Sequence, residues 1–182
     1  MSTTESQFVR EAIERLFHQY ANELYRFALH SFGDPSETKD AVQETFVRAL
    51  GAWTSFRQGS SARTWLYQIL RHYLYDLFRR RQVQRAFSFL TAGEPRQGCT
   101  FIDSTMELRD AIASLPVTYR QVLTLRFVQD LTVSEVADIL GWSESKVRLT
   151  QHRATKKLRV LLDETESRNS KQQRKRGEAG GT

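Results

Sequence analysis

Cysteine is nearly absent from this chain, and that removes two ways of stabilising a small protein. Cys99 is the single cysteine among 182 residues, so no internal disulfide forms, and no Cys or His partner stands at the spacing that zinc requires. Long apolar stretches are also missing. No uncharged run approaches the ~18 residues of a membrane-spanning helix, and MSTTESQFVR lacks the basic patch and apolar run of a secretory signal. Together these features predict a cytoplasmic protein without direct membrane insertion. No apolar–polar alternation is long enough to build a sheet. Phosphate loops, dinucleotide glycine patterns and clusters of nucleophile, base or metal ligands are absent. The expectation is a protein that is not an enzyme and holds no metal or cofactor.

What is present suits a folded, nucleic-acid-facing protein. Hydrophobic residues make up 40% and charged residues 26%, the proportions of a globular chain. The net charge of +6 is unevenly spread. Residues 1–50 sum to −3, whereas residues 63–85 and 143–159 each carry +5. Basic blocks on helix-length segments are the footprint of a phosphate backbone, because neutralising phosphates releases condensed counterions. Solvated basic helix faces are the other reading of the same blocks.

Periodicity divides the chain. Val9, Ile13, Leu16, Phe17, Tyr20, Leu24, Phe27 and Ala28 recur at helical spacing. Gly33 and Asp34-Pro35 break that helix, and a second pattern runs through Ala41, Val42, Phe46, Val47 and Leu50. After the polar loop at residues 57–61, a third helix spans about Ala62 to Ala86, with Leu66, Ile69, Leu70, Tyr73, Leu74 and Leu77 as its stripe. Residues 88–104 lose the periodicity and read as a flexible linker. Helical patterning resumes at Met106, restarts after Pro116 and continues to about Asp163. The predicted fold is all-α: two small helical domains, 1–87 and 105–163, the second a four-helix domain with a helix-turn-helix. Residues 164–182, polar and basic, are expected to be a disordered tail.

The helix-turn-helix carries the clearest local signals. Thr132 and Glu135 form a capping box, and Leu131 and Val136 a hydrophobic staple around it. Gly141 supplies a left-handed stop and Ser143 caps the next helix. On that second helix Val147, Gln151, Ala154 and Leu158 face inward. Ser145, Lys146, Arg148, Leu149, His152, Arg153 and Lys156 are the candidate DNA contacts, since arginine pairs with guanine edges and an apolar tip meets a thymine methyl. The third helix interleaves aromatics and cations: Arg63, Trp65, Tyr67, Arg71, His72, Tyr75 and Arg79. Rings that stack on bases beside cations that follow the backbone are how single strands are held.

Several motifs in one order resemble the small extracytoplasmic-function group of the bacterial sigma-70 family. They are Leu24-Tyr-Arg-Phe-Ala28, Asp40-Ala-Val-Gln-Glu-Thr-Phe-Val-Arg48, Ser61-Ala-Arg-Thr-Trp-Leu-Tyr67, Leu115-Pro116 and the segment from Leu131 to Leu158. The resemblance implies a promoter-specificity subunit of RNA polymerase that helps melt the minus-ten element. Region two would be the first domain, with Asp40, Gln43, Glu44, Phe46 and Arg48 docking on the beta-prime coiled coil. Arg57, Ser60, Ser61 and the third-helix residues would take the minus-ten strand. Region four would read the minus-thirty-five element through the second domain and meet the beta flap. An anti-sigma factor, in many members membrane-bound, is the implied regulator. The chain departs from the family pattern at His72, where asparagine is common, and at Val147-Arg-Leu-Thr-Gln151. A stand-alone helix-turn-helix regulator is the alternative, but such a protein needs neither the acidic helix nor the Trp/Tyr/Arg helix.

Overall fold

Asp34 and Pro35 start the second helix by the chemistry their residue types supply. Asp34 Oδ1 accepts the Glu37 N–H at 2.9 Å, and Pro35 takes the first helical position, where its missing N–H costs nothing. Just before it, Gly33 at φ 80° donates to Leu29 O at 2.7 Å and ends the first helix. The computed structural model describes residues 3–56, 61–88 and 106–179, with side chains at 6–31, 33–56, 61–80 and 108–164. The helices are α1 (Thr3–Phe32), α2 (Pro35–Gly51), α3 (Ala62–Ser88), α4 (Met106–Ala113), α5 (Val117–Leu123), α6 (Val133–Leu140) and α7 (Glu144–Ala179). A 3₁₀ turn, Trp53–Ser55, follows α2, and a π-helical turn, Thr124–Val128, follows α5. No strand occurs among the described residues, as an all-α reading requires.

The three first-domain helices pack through Leu24, Phe27, Ala28, Ala41, Val42, Leu66, Leu70 and Leu74, all buried. Each large side chain of this kind contributes roughly 1.5–3 kcal/mol. In the second domain Leu115, Leu123 and Ala154 form a core between α5 and α7. The helical groups do not stand apart. Val122, Leu125, Leu131, Val136, Ile139, Leu140 and Val147 join the first-domain residues in one continuous apolar cluster. Polar pattern alone suggested two tethered bodies, whereas α1 lies against α5 and α3 against α6.

Three other expectations meet the structure differently. Phe17, Val47 and Leu50 belong to apolar stripes by spacing but are exposed, because nothing covers the outer side of the α1–α2 pair. The expected linker, residues 88–104, lies outside the described residues apart from Ser88, and Cys99 lies with it. The expected disordered tail, 164–182, is corrected as far as Ala179: α7 continues through it. Extending a formed helix requires no new nucleus, and its Lys, Arg, Gln and Glu residues lose little rotamer freedom in a helix.

Candidate nucleic-acid and polymerase interfaces

The helix-turn-helix is built as its residues dictate. Thr132 Oγ1 accepts the Glu135 N–H at 3.2 Å, and Glu135 Oε2 accepts the Thr132 N–H at 2.8 Å. Those bonds from Thr132 hold the Glu135 carboxyl below the usual carboxylate range. Gly141, at φ 61°, closes α6, and Ser143 Oγ accepts the Lys146 N–H at 3.3 Å to open α7. Val147 and Ala154 are fully buried, which turns the opposite face outward. Ser145, Lys146, Arg148, Leu149, His152, Arg153 and Lys156 are all exposed there. Lys146 Nζ lies 4.2 Å from the centroid of the Trp142 ring, and Arg148 is tied to Glu144 at 2.8 Å. One half-exposed leucine, Leu149, stands among these cations. The face can hold phosphate and touch base edges.

The α3 face is divided. Tyr75, His72 and Arg79 are open to solvent on its C-terminal half, with Tyr75 67% exposed. Arg63 and Arg71, nearer its start, are engaged instead. Arg63 donates to Glu23 Oε2 at 2.7 Å and Gln129 O at 2.9 Å, and Arg71 to Ile139 O at 3.0 Å. Tyr67 is a correction to the predicted strand contacts. It is completely buried, edge-on to Phe27, because the α3 stripe is wide enough to include it. Burial pushes its phenol above the ordinary range. Trp65 is half-buried in a cluster with Trp53 and Phe56, its ring centroid 4.7 Å from that of Phe56. These rings form the floor from which residues 57–60 depart. Arg57 and Ser60 lie outside the described residues; Ser61 is exposed.

On α2, Asp40, Gln43 and Arg48 are exposed and Glu44 is half-buried. Arg48 bonds Glu44 at 2.8 Å and lies over the Tyr73 ring at 4.9 Å. Phe46, predicted as the aromatic anchor of this helix, is instead buried edge-on to Phe17 at 5.0 Å. The spacing explains the correction: Asp40, Gln43, Glu44 and Val47 share the outer face, while Phe46 shares the inner one with Val42 and Ala49. Val47, 63% exposed, is the apolar residue this acidic stripe presents. A groove of about 430 Å³ runs alongside, lined by Ile13, Phe17, Phe46 and Leu50 between Arg10 and Glu14 at one side.

Comparison with known proteins joins these surfaces. Residues 16–84 match the family model for sigma-70 region 2, and residues 105–158 match the model for sigma-70 region 4. The RNA polymerase sigma factor YlaC of Bacillus subtilis is 36% identical over 168 residues, covering 87% of this chain and 95% of that protein. The ECF RNA polymerase sigma factor SigX of the same organism is 33% identical, covering 85% and 86%. The chain belongs to the extracytoplasmic-function group of sigma-70 factors. As such it directs core RNA polymerase to specific promoters and helps melt the minus-ten region. A solved structure of CnrH with the cytosolic domain of CnrY is similar at 28% identity and a TM-score of 0.64, covering 85% of this chain and 89% of that one. The sigma factor RpoE of Bartonella quintana, solved with the anti-sigma factor NepR, shares the fold at 23% identity and a TM-score of 0.69, covering 84% and 98%.

Periodicity missed the residues that join the two halves of this sigma factor. Arg120 is 2% exposed. Its Nε donates to His30 O at 3.0 Å and its Nη2 to Ser31 O at 3.2 Å, both at the end of α1. Nη1 donates at 2.9 Å to Ala113 O and to Leu115 O in the turn before α5. Beside it, His30 Nδ1 lies 3.1 Å from Thr124 Oγ1. Burial, with Arg26 and Arg120 nearby, lowers the His30 pKa to about 4, so the ring is neutral at pH 7. An arginine within an apolar stripe was the available signal, but its partners are backbone carbonyls remote in sequence. Among the described residues no group of His, Cys, Asp and Glu is arranged to hold a metal, and no helix is long and apolar enough to cross a membrane.

Proposed function

We propose a division of this sigma factor into two working units, residues 1–87 and 105–163, with separate surfaces for polymerase, melted strand and duplex. The observation that carries the proposal is the outer face of α7, where all seven predicted contacts are exposed on a correctly capped helix-turn-helix. In this reading Arg148, Arg153 and Lys156 hold backbone or guanine edges of the minus-thirty-five element, with Ser145, Lys146, Leu149 and His152 beside them. Tyr75, His72 and Arg79 take the melted minus-ten strand, joined by Arg63 and Arg71 once these are released. Trp65 with Trp53 and Phe56 supports the loop carrying Arg57, Ser60 and Ser61, which captures a flipped base; the pocket must return the few kcal/mol of stacking lost on flipping.

Asp40, Gln43, Glu44 and Arg48 dock on the beta-prime coiled coil. Val47 replaces Phe46 as the apolar contact of that stripe, which is acidic and therefore a poor DNA ligand. The second domain meets the beta flap. An anti-sigma factor, as in the complex of RpoE with NepR, competes for these surfaces. The protein acts in the cytoplasm and performs no catalysis of its own.

Run-off transcription from genomic fragments with purified bacterial core polymerase, with and without the protein, tests the reading. New start sites that share two upstream elements are the expected result. Arg148→Ala should then lose starts through the upstream element, and Tyr75→Ala should stall at melting. Starts that survive both substitutions would refute the residue assignments.

A further inference from the structure

The α6 helix ends on backbone carbonyls that α3 occupies. Gln68 Nε2 donates to Asp138 O at 3.0 Å and Arg71 Nη1 to Ile139 O at 3.0 Å. The last carbonyls of a helix have no intrahelical donor and sum to roughly half a negative charge. To a guanidinium and an amide they offer what a nucleic-acid phosphate offers: oxygen acceptors with negative potential. Gly141 makes the approach possible, since a Cβ there would lie 3.3 Å from Arg71 Nη1. The other end of the seam is held by Arg120, which binds two carbonyls of α1 and two of the turn before α5.

We propose that this sigma factor masks its own single-strand surface, with the C-terminal carbonyls of α6 standing in for nucleic-acid phosphates on Gln68 and Arg71 and with Arg120 as the latch. The proposal rests on the reading of α3 as the melted-strand surface. The two arrangements are mutually exclusive, because Arg63, Gln68 and Arg71 cannot bond Gln129, Asp138 and Ile139 and also follow a DNA strand. The recognition face of α7 stays exposed in the closed chain, so the masking falls on the melted strand and not on the duplex contact. The seam is also poised to open. Tyr67 Oη is buried without a hydrogen-bond partner, near the Glu23 and Arg63 side chains, of which Arg63 reaches across to Gln129. A buried hydroxyl without a partner penalises the closed state and is relieved when water enters.

The full chain tests this with a fluorescein-labelled fifteen-nucleotide thymidine strand as probe. Arg120→Ala should increase the radius of gyration in small-angle scattering and tighten strand binding about tenfold, with cooperative melting retained. Because that variant also loses bonds inside the second domain, a locked form is the second arm: Gln68→Cys with Asp138→Cys, in a Cys99→Ser background, joined by a short bismaleimide. Bridging should weaken strand binding about tenfold relative to the same protein unbridged. Tyr75→Ala in the opened chain should abolish the gain, which assigns the bound strand to α3. Equal binding by bridged and unbridged forms, with Tyr75→Ala still weakening both, would overturn the masking while the α3 reading stands. A gain that Tyr75→Ala leaves intact, or no strand binding even when opened, would overturn the α3 reading and the masking with it.

Discussion

Mild acid should loosen the closed chain through one residue, His30. Its ring is 4% exposed, faces Thr124 and lies near Arg26 of α1 and Arg120 of α5, so a proton on it meets two positive neighbours and little water. The pKa of about 4 in the folded chain lies below the ordinary 6.5, so the unfolded chain binds more protons between those values. Stability therefore rises with pH through that window; the contribution is complete above about 6.5 and is lost as the pH falls toward 4. Each tenfold change in proton affinity is worth ~1.4 kcal/mol, so the whole window amounts to about 3 kcal/mol. Between pH ~7.5 and ~5.5, where most carboxylates stay charged, the expected loss is about 1.4 kcal/mol. Urea unfolding at both pH values, for the wild type and His30→Gln, measures it. Glutamine does not titrate, so the variant should keep its stability across the interval while the wild type falls. A wild type that loses no more than His30→Gln would refute the reasoning, since His30 would then be free to take up its proton in the folded state.

The other predictions concern single contacts. Gly141→Ala should destabilise the protein by roughly 1–2 kcal/mol in thermal melting, because the left-handed backbone there disfavours a Cβ; an unchanged melt would mean the turn adapts. Thr132→Ala should cost about 1 kcal/mol through loss of the capping box, and the difference from wild type should shrink in acid as Glu135 takes up a proton and its bonds to Thr132 weaken. Val47→Glu should weaken core-polymerase binding in a pull-down while leaving duplex affinity intact; the opposite pattern would move the polymerase surface away from α2.

Local signals were legible where neighbours in sequence make the structure. Thr132 with Glu135, Gly141, Ser143 and Asp34 with Pro35 lie within a few residues of their partners, and each forms the cap its type predicts. The recognition face of α7 follows from the same locality, because 100° per residue orders a helix once Val147 and Ala154 are known to be inside. Wide stripes were harder. Tyr67 and Phe46 sit at stripe borders, and only the neighbouring helices decide that Phe27 covers one and Phe17 the other.

By itself, then, the sequence determined that the chain is all-helical, where its caps and turns fall, and that its motifs stand in the order of a sigma factor. Helix period, capping chemistry and charge act over a turn or two, and every residue needed is present in that window. Only the tertiary structure decided which arginines are available to nucleic acid. Arg63, Arg71 and Arg79 share the composition of one basic helix. The first two reach carbonyls of Gln129 and Ile139, more than sixty residues away, and the third remains open to solvent. The same holds for Arg120, whose four acceptors are backbone oxygens that every sequence contains, so no residue type announces them. What joins the two domains is helix-end geometry, and that exists only after the helices have formed and packed.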